Sequence, residues 1–266
     1  MSKITIIGSG NIGFSLAKGL VTSGQFKPDD ITLTRRSIAA LKEEAGLGFR
    51  VSDNNPEASS DADIIVLAIL PQQLKKVMEE LKPVVQPTQV IVSVVSGVSC
   101  ADVKAILGQD KIVVRAMPNT AIAIGQSMTC IASDDAPGEK VAVVERLFEA
   151  VGSVVIIQED LMTSATALCA CGIAFFLRAI RAASQGGVEI GFHAHDALKM
   201  AVQTAKGAAD LLLQTQNHPE GEIDKVTSPK GCTIAGLNEM EHYGFSSAFI
   251  KGIKLSAKKA GGLYND

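Results

Sequence analysis

Ile4-Thr5-Ile6-Ile7-Gly8-Ser9-Gly10-Asn11-Ile12-Gly13 joins a short apolar run to three closely spaced glycines, and the amphipathic segment Asn11–Ser23 follows directly. An apolar run of four to eight residues ended by glycine reads as a buried strand, and the segment after it has the period of a helix. The same alternation recurs downstream. Apolar runs lie at Ile31–Thr34, Ile64–Ile69, Val90–Val95, Ile112–Met117, Met128–Ile131 and Val154–Ile157. Helical patterns stand between them at Gln73–Leu81, Ala101–Leu107 and Lys140–Ala150. Ile64–Ile69 is apolar at every position, as a strand covered on both faces requires. Strand and helix in alternation predict an α/β domain with a doubly wound, mostly parallel sheet, Rossmann-like in plan, over residues 1–158.

After Ile157 the strand signal ends. Glu159–Gly191 is Ala-rich, and His195–Gln216 carries Leu198, Val202, Ala205, Ala209 and Leu212 on one helix face. Asn217–Cys232, with Pro219, Gly221, Pro229 and Gly231, reads as a loop, and two more helices are expected from Thr233 and Ser246. Residues 159–266 are therefore expected to form an all-helical domain. Its helices are too apolar to be satisfied within so small a unit, so it is expected to dimerise, or to form a higher homo-oligomer, through them.

The chain has 266 residues, enough for two domains, with 47% hydrophobic residues but only 4% aromatic. A formal net charge of −3 offers no general attraction to nucleic acid or to an anionic membrane. Met1-Ser2-Lys3 leads into an apolar run too short for a signal-peptide core, and the longest unbroken apolar run, Ile64–Leu70, is far below a membrane span. Cys100, Cys130, Cys169, Cys171 and Cys232 contain no Cys-x-x-Cys pair, and an odd count reads as reduced thiols in the cytoplasm. His193 and His195 diverge by about half a turn on a helix and read as surface imidazoles, so no metal site is expected.

Gly8-Ser9-Gly10-Asn11-Ile12-Gly13 fits Gly-x-Gly-x-x-Gly in the context that gives the motif meaning, after a strand and at a helix start. Gly8 permits the tight turn, Gly10 lets backbone approach a pyrophosphate, and Gly13 lets helix and strand pack closely. The end of the second strand tells one nicotinamide cofactor from the other. NAD-binding sites carry an acid there for the ribose 2′-OH, whereas this chain reads Thr34-Arg35-Arg36-Ser37. The two guanidinium groups and the two hydroxyls, of Thr34 and Ser37, can instead hold a 2′-phosphate, so NADPH is the expected cofactor and NADH the weaker one. Later strand ends should border the same ligand, which nominates Ala68-Ile69-Leu70-Pro71-Gln72, then Val95-Ser96-Gly97, with Asn55 toward the adenosine half. Met117-Pro118-Asn119-Thr120 closes another strand.

In the helical half, Val226-Thr227-Ser228-Pro229-Lys230-Gly231-Cys232-Thr233 sets hydroxyls before a Pro/Gly turn that opens a helix. Such a start offers unpaired N–H groups to a small carboxylate, although N-capping by Ser228 or by Cys232-Thr233 explains the same residues equally well.

The sequence resembles the pyrroline-5-carboxylate reductase family along nearly its whole length. The resemblance is carried by the glycine motif, Arg115-Ala116-Met117-Pro118-Asn119-Thr120, Glu159-Asp160-Leu161, and above all Ser228-Pro229-Lys230-Gly231-Cys232-Thr233-Ile234-Ala235-Gly236-Leu237. It implies NADPH-dependent reduction of the cyclic imine 1-pyrroline-5-carboxylate to proline. It also implies a substrate pocket of Ser228, Gly231, Cys232 and Thr233, with Thr233 near the ring nitrogen and Glu159 bordering the same pocket. Cys232 would serve through its backbone, since no base is identified beside its thiol.

The chain departs from the family pattern where it has Leu70 for a common Lys, Ala121 for Pro, and Lys230 for Gly. It also has Cys169-Ala170-Cys171-Gly172-Ile173-Ala174-Phe175 for Ser-Gly-Ser-Gly-Pro-Ala-Tyr. Two rival readings are an NADPH-dependent reductase of another cyclic imine or small keto acid, and a dinucleotide-binding paralogue without turnover. Activity would require the two helix starts to bring cofactor and imine into one cavity.

Overall fold

The computed structural model describes residues 2–134 and 138–262. Met1 and residues 263–266, where the expected domain ranges begin and end, lie outside the described residues. The chain forms two compact units, one running to Cys171 and taken up again from Leu255, the other being Gly172–Lys254.

The first unit is built on strands β1 (Ile4–Ile7), β2 (Ile31–Thr34), β3 (Arg50–Ser52), β4 (Ile64–Leu67), β5 (Val90–Ser93), β6 (Ile112–Met117), β7 (Ser127–Ser133) and β8 (Gly152–Ile156). They form one sheet in the order β3-β2-β1-β4-β5-β6-β7-β8. Every pairing is parallel except β6 with β7. The interleaved helices are α1 (Asn11–Thr22), α2 (Lys42–Gly46), α3 (Asn55–Ser59), α4 (Pro71–Leu81), α5 (Cys100–Leu107), α6 (Glu139–Glu149) and the short α7 (Met162–Ala165).

Two apolar layers hold this sheet. Ile4 and Ile6 of β1 and Val66 of β4 meet Leu16 and Leu20 of α1 and Phe148 of α6 on one face. On the other, Ile7, Ile65 and Leu67 meet Leu74 and Met78 of α4 and Val103 and Leu107 of α5. Neighbouring residues of one strand thus feed opposite layers, the period of two that a doubly covered strand needs.

Strand β3 is absent from the sequence reading. It has three residues with the pattern Arg-Val-Ser, pairs only with β2 at the sheet edge, and has too little apolar surface to register as a run.

The composition shifts where β8 ends, but the compact units part later. Glu159–Cys171 packs on the sheet, where Met162 and Ala165 are buried with Met117, Cys130 and Ala132. A π-helical turn, Thr166–Cys171, then leads into α8 (Gly172–Glu189). The helical stretch Glu159–Glu189 is long and apolar enough, by length and composition, to cross a bilayer. Counting only unbroken apolar runs passes over it, because Gly, Ser and Thr interrupt the run.

The second unit continues with α9 (Ala194–Thr215), α10 (Pro219–Lys225), α11 (Cys232–His242) and α12 (Phe245–Ala260), of which the last reaches past Lys254 into the first unit. Helix α10 lies inside the segment expected to be loop. Its start is built by Pro219 in the first turn and by His218, whose Nδ1 accepts the Glu220 N–H at 3.2 Å. Gly221 conceals that signal in the sequence. Helices α8 and α9 pack closely where Gly187 faces Ala197, and Phe175, Phe176 and Phe245 surround Phe249. Even so, among residues 172–254 only Gly172, Ser184 and Ala197 are buried.

The meeting of β1 and α1 has no slack. A Cβ on Gly13 would stand 2.1 Å from the Gly8 carbonyl oxygen, whereas one on Gly10 would meet nothing within 4 Å. Gly13→Ala is therefore expected to cost about 1–3 kcal/mol or more, read as a fall in Tm of roughly 5 °C, while Gly10→Ala leaves Tm within about 1 °C. Differential scanning calorimetry of the two variants checks the contrast.

Candidate functional site

The carboxyl ends of β1, β2 and β4 open onto a cleft of about 920 Å³, within the roughly 300–1,000 Å³ typical of small-molecule and cofactor sites. Gly8 forms its floor. Its φ of +99° is one that L side chains rarely adopt, and a Cβ there would lie 2.4 Å from the Ala68 carbonyl oxygen. The Gly8 and Ser9 N–H groups both donate to the Thr34 carbonyl, at 3.2 and 3.0 Å, which ties the glycine turn to the end of β2. The Ser9 hydroxyl donates to Glu44 Oε1 at 2.8 Å beneath the turn. Helix α1 then begins at Gly10 with no side-chain cap. Its first N–H groups face the cleft unpaired by any side chain, and the space beside Gly10 is open, a cradle suited to a pyrophosphate.

Of the residues expected to bind a dinucleotide, Gly8, Ser9, Gly10, Asn11, Ile12, Thr34, Arg35, Arg36, Asn55, Ala68, Ile69 and Leu70 line this one cleft. Gly13, Pro71, Ser96 and Gly97 do not. Gly13 is packed against the turn and Pro71 opens α4 at its first position, so both shape the wall from behind. Ser37 and Gln72, read with the two strand ends, also line it, and sequence reasoning missed Ala40, Gln73, Lys76, Val77, Glu80 and Val94, which do so too. Four of these lie on the cleft side of α4, a face that only the fold reveals. Adjacent basic residues at the end of β2, with Lys76 across the opening, give the cleft a cationic rim suited to a phosphate monoester.

Glu159 is already engaged within the first unit. Its Oε1 accepts from Arg115 at 3.1 Å and from the Cys100 backbone N–H, the first in α5, at 2.6 Å. The Arg115 side chain is 7% exposed, so its charge depends on this partner. Burial, and then the nearby Glu159 charge, push the Cys100 thiol up to about 12. Asn119, at the end of β6, binds the same region together. Its N–H donates to Ser127 Oγ, its Nδ2 to the Cys169 carbonyl, and its Oδ1 accepts from Ala121 N. That last bond uses an N–H that a proline at 121 would lack, so the Ala departure adds a contact here. Cys130 and Cys169 stand with their sulfurs 3.7 Å apart. The hydrogen bond from Cys130 holds the Cys169 thiol down, to about 7, against the opposing effect of burial. The bond to Cys169, followed by burial, drives Cys130 far up.

In the second unit, Ser228-Pro229-Lys230-Gly231 is a tight turn closed by Gly231 N–H to the Ser228 carbonyl at 2.9 Å. Lys230 takes a φ of +56°, the conformation for which glycine is the usual choice, and its side chain is exposed. A Cβ on Gly231 would lie 2.5 Å from Ser228 Oγ. Helix α11 starts at Gly231 without a side-chain cap, so neither Ser228 nor Thr233 serves as one, and the first N–H groups stay available. Of the two readings left even by the sequence, capping by these side chains is not made.

A doubly wound sheet with a glycine-motif cleft at its strand ends defines a nicotinamide-dinucleotide-type oxidoreductase fold, here joined to a helical unit. Residues 159–263 match the family model for pyrroline-5-carboxylate reductase dimerisation, and residues 3–97 the model described as NADP oxidoreductase coenzyme F420-dependent. The chain is 50% identical over 273 residues to pyrroline-5-carboxylate reductase 1 of Dictyostelium discoideum, covering 98% of this chain but spanning only half the length of that relative. To reductase 2 of the same organism it is 47% identical, covering 97% of this chain and 91% of the relative. It also matches the crystal structure of Plasmodium falciparum pyrroline carboxylate reductase with NADP bound, at TM-score 0.91 and 23% identity, over 99% of this chain and 98% of that one. The chain belongs to the pyrroline-5-carboxylate reductase family. The dimerisation match marks the C-terminal region as a homo-oligomer interface.

Glu159→Ala would leave a buried guanidinium unpaired. A loss of about 3–5 kcal/mol is expected, and a Tm lower by roughly 6 °C or more, whether or not substrate is present. A change confined to the substrate KM, with Tm unmoved, would contradict this assignment.

Proposed function

We propose that this chain reduces 1-pyrroline-5-carboxylate to proline with NADPH as its preferred electron donor. The observation that carries the reading is the Ser228–Leu237 segment, the family's most specific motif, folded as an uncapped start of α11. Family membership at 47% identity over nearly the whole chain supports the same reaction.

When bound, the cofactor supplies a hydride from C4 of its dihydronicotinamide ring to C5 of the imine. The chain's own residues do the holding. The first N–H groups of α1 and the cradle beside Gly10 take the pyrophosphate, and Arg35 and Arg36 take the 2′-phosphate as bidentate donors. Gly231, Cys232 and Thr233 offer backbone N–H groups to the substrate carboxylate, and the partial positive charge of α11 favours it there. The Thr233 hydroxyl holds the ring nitrogen, and Ser228 shapes the turn from which that helix starts. Glu159, in its bonds to Arg115 and the start of α5, holds the first unit together. A protonated imine is already electrophilic, so orientation is the protein's main contribution.

The oligomer forms through the helices from Glu159 onward. Among the described residues, twenty of the twenty-four exposed large hydrophobics lie from Val155 onward, including Phe176, Leu177, Leu213 and Ile250. We assign the apolar Glu159–Glu189 stretch to that interface in place of a bilayer, and the enzyme to the cytoplasm, with neither nucleic acid nor membrane as partner. Its reduced thiols and negative net charge support this placement.

Loss of NADPH absorbance on adding pyrroline-5-carboxylate tests the reaction directly, and no loss would overturn it. Arg35→Ala with Arg36→Ala is expected to raise the NADPH KM about tenfold or more while moving the NADH KM by less than about twofold. Thr233→Ala is expected to lower kcat by roughly 10- to 100-fold with the NADPH Kd unchanged. Steady-state kinetics paired with fluorescence titration separate those two results.

A further inference from the structure

Outside the dinucleotide cleft, strand β7 and the π-helical turn Thr166–Cys171 bring two thiols together. The Cys130 and Cys169 sulfurs stand 3.7 Å apart although 39 residues separate them in the chain. Cys130 is fixed inside the sheet, paired with Met117 of β6 on one side and Val155 of β8 on the other. It is 6% exposed and lies in the apolar layer with Met117, Ala132, Met162 and Ala165. Cys169 packs against that layer from the turn and is only half-buried. One sulfur of the pair is shut in, and the other is partly open to solvent.

A disulfide needs the two sulfurs to close by about 1.7 Å. Cys130 cannot travel, since both neighbouring strands hold its backbone. The Cys169 backbone is anchored by its carbonyl, which accepts from Asn119 Nδ2 at 3.3 Å, and its side chain already points at β7. The two thiols are also unlike. The hydrogen bond from Cys130 holds the Cys169 thiol down, to about 7, against burial. The thiolate is the nucleophilic form, so Cys169 is the sulfur that reacts first. What drives Cys130 up is first its bond to Cys169, and that cause ends once Cys169 no longer carries a thiolate.

We propose that Cys130 and Cys169 form a peroxide-reactive dithiol, Cys169 as nucleophile and Cys130 as resolving thiol, that closes to a reversible disulfide within the first unit. The oxidant is hydrogen peroxide, small enough to reach a half-buried sulfur on the sheet side of the turn. The Cys169 sulfur attacks one peroxide oxygen, the O–O bond breaks, and the departing hydroxide takes up the Cys169 proton as water. Cys169 is then a sulfenic acid, oxidised by two electrons. The Cys130 sulfur attacks it, the S–S bond forms and the S–O bond breaks. The second hydroxide leaves with the Cys130 proton, so two thiols and one peroxide give one disulfide and two waters. Closure stops Cys169 short of the sulfinic acid, which thiol reductants do not reverse. The device is this chain's own, because the family pattern has serine where this chain has Cys169, and serine forms no such bond.

Non-reducing peptide mapping by mass spectrometry, before and after a small excess of hydrogen peroxide, tests it on the assembled enzyme in wild type, Cys130→Ser and Cys169→Ser. Wild type is expected to yield peptides linked through Cys130 and Cys169, with the loss of two hydrogens, and dithiothreitol should restore both thiols. Cys130→Ser keeps a hydrogen-bond donor beside Cys169 but removes the resolving sulfur. It is expected to gain one oxygen and then a second at Cys169, the latter state resisting dithiothreitol. Cys169→Ser is expected to leave Cys130 unmodified under the same treatment. Absence of the linked pair in wild type, or linkage of either cysteine to Cys171 or Cys232 in its place, would overturn the proposal. So would a Cys130→Ser variant that recovers its Cys169 thiol as completely as wild type. The wild-type map decides by itself should either variant fold poorly.

Discussion

Everything at the candidate cofactor site depends on how closely α1 can approach the turn that precedes it. Gly13 lies against the Gly8 carbonyl, and Gly8 lies against the Ala68 carbonyl at the end of β4. These contacts leave no room for a side chain at either position, and they aim the start of α1 at a fixed point above the sheet. Gly10, between them, borders empty space. The motif thus contains two different kinds of glycine. The outer two are required by the protein's own packing, and the middle one is required only if something else comes close. Open space beside Gly10, flanked by two packed glycines, suits the close approach of a pyrophosphate to the backbone.

The same division explains how far the sequence could be read. The β1–α1 turn, the alternation of strands with helices and the arginine pair were legible because each depends on local chemistry: a glycine pattern, a period, a missing acid. Most of the residues expected around the dinucleotide line one cleft. The omissions were non-local. Ser96 and Gly97 follow β5, next to β4 in the sheet, and being at a strand end did not by itself place them in the lining of the cleft. Gln73, Lys76 and Glu80 do line it, because α4 turns that face inward. A hydrophobic period says which side of a helix is buried, and not what its other side overlooks. Edge strand β3 and helix α10 escaped for a related reason. One is too short to show a period, and the other begins in a Pro- and Gly-containing segment whose composition argues for loop.

The departures from the family pattern take on physical content once they are placed. Ala121 supplies an N–H that Asn119 uses, and Asn119 in turn holds the Cys169 carbonyl in the π-helical turn. Loss of a proline at one position is thereby coupled to a contact that fixes the segment carrying the cysteine substitutions. Lys230 pays the cost of a left-handed backbone that glycine would adopt freely, about 1 kcal/mol, yet the turn it belongs to is closed by the Gly231 N–H. The exposed ammonium stands outside that hydrogen bond, so the change leaves the start of α11 intact. Leu70 replaces a charge with an apolar wall beside the cleft, 64% exposed, and the backbone geometry of the strand end does not depend on it.

The helical unit raises a different constraint, one of area. Three buried residues among 172–254 cannot offset the conformational entropy of ordering so many others, which costs on the order of 1–2 kcal/mol each for the backbone alone. Apolar side chains such as Phe176, Leu177, Leu213 and Ile250 remain in water in the single chain. A unit of this kind owes its stability to surface covered from outside, and the match of residues 159–263 to a dimerisation family identifies another copy of the chain as that cover. Folding of the Ser228–Gly231 turn is then linked to association, because α11, which it opens, belongs to the same poorly buried set of helices. Dilution that separates the copies would loosen that turn before it disturbed the well-packed sheet.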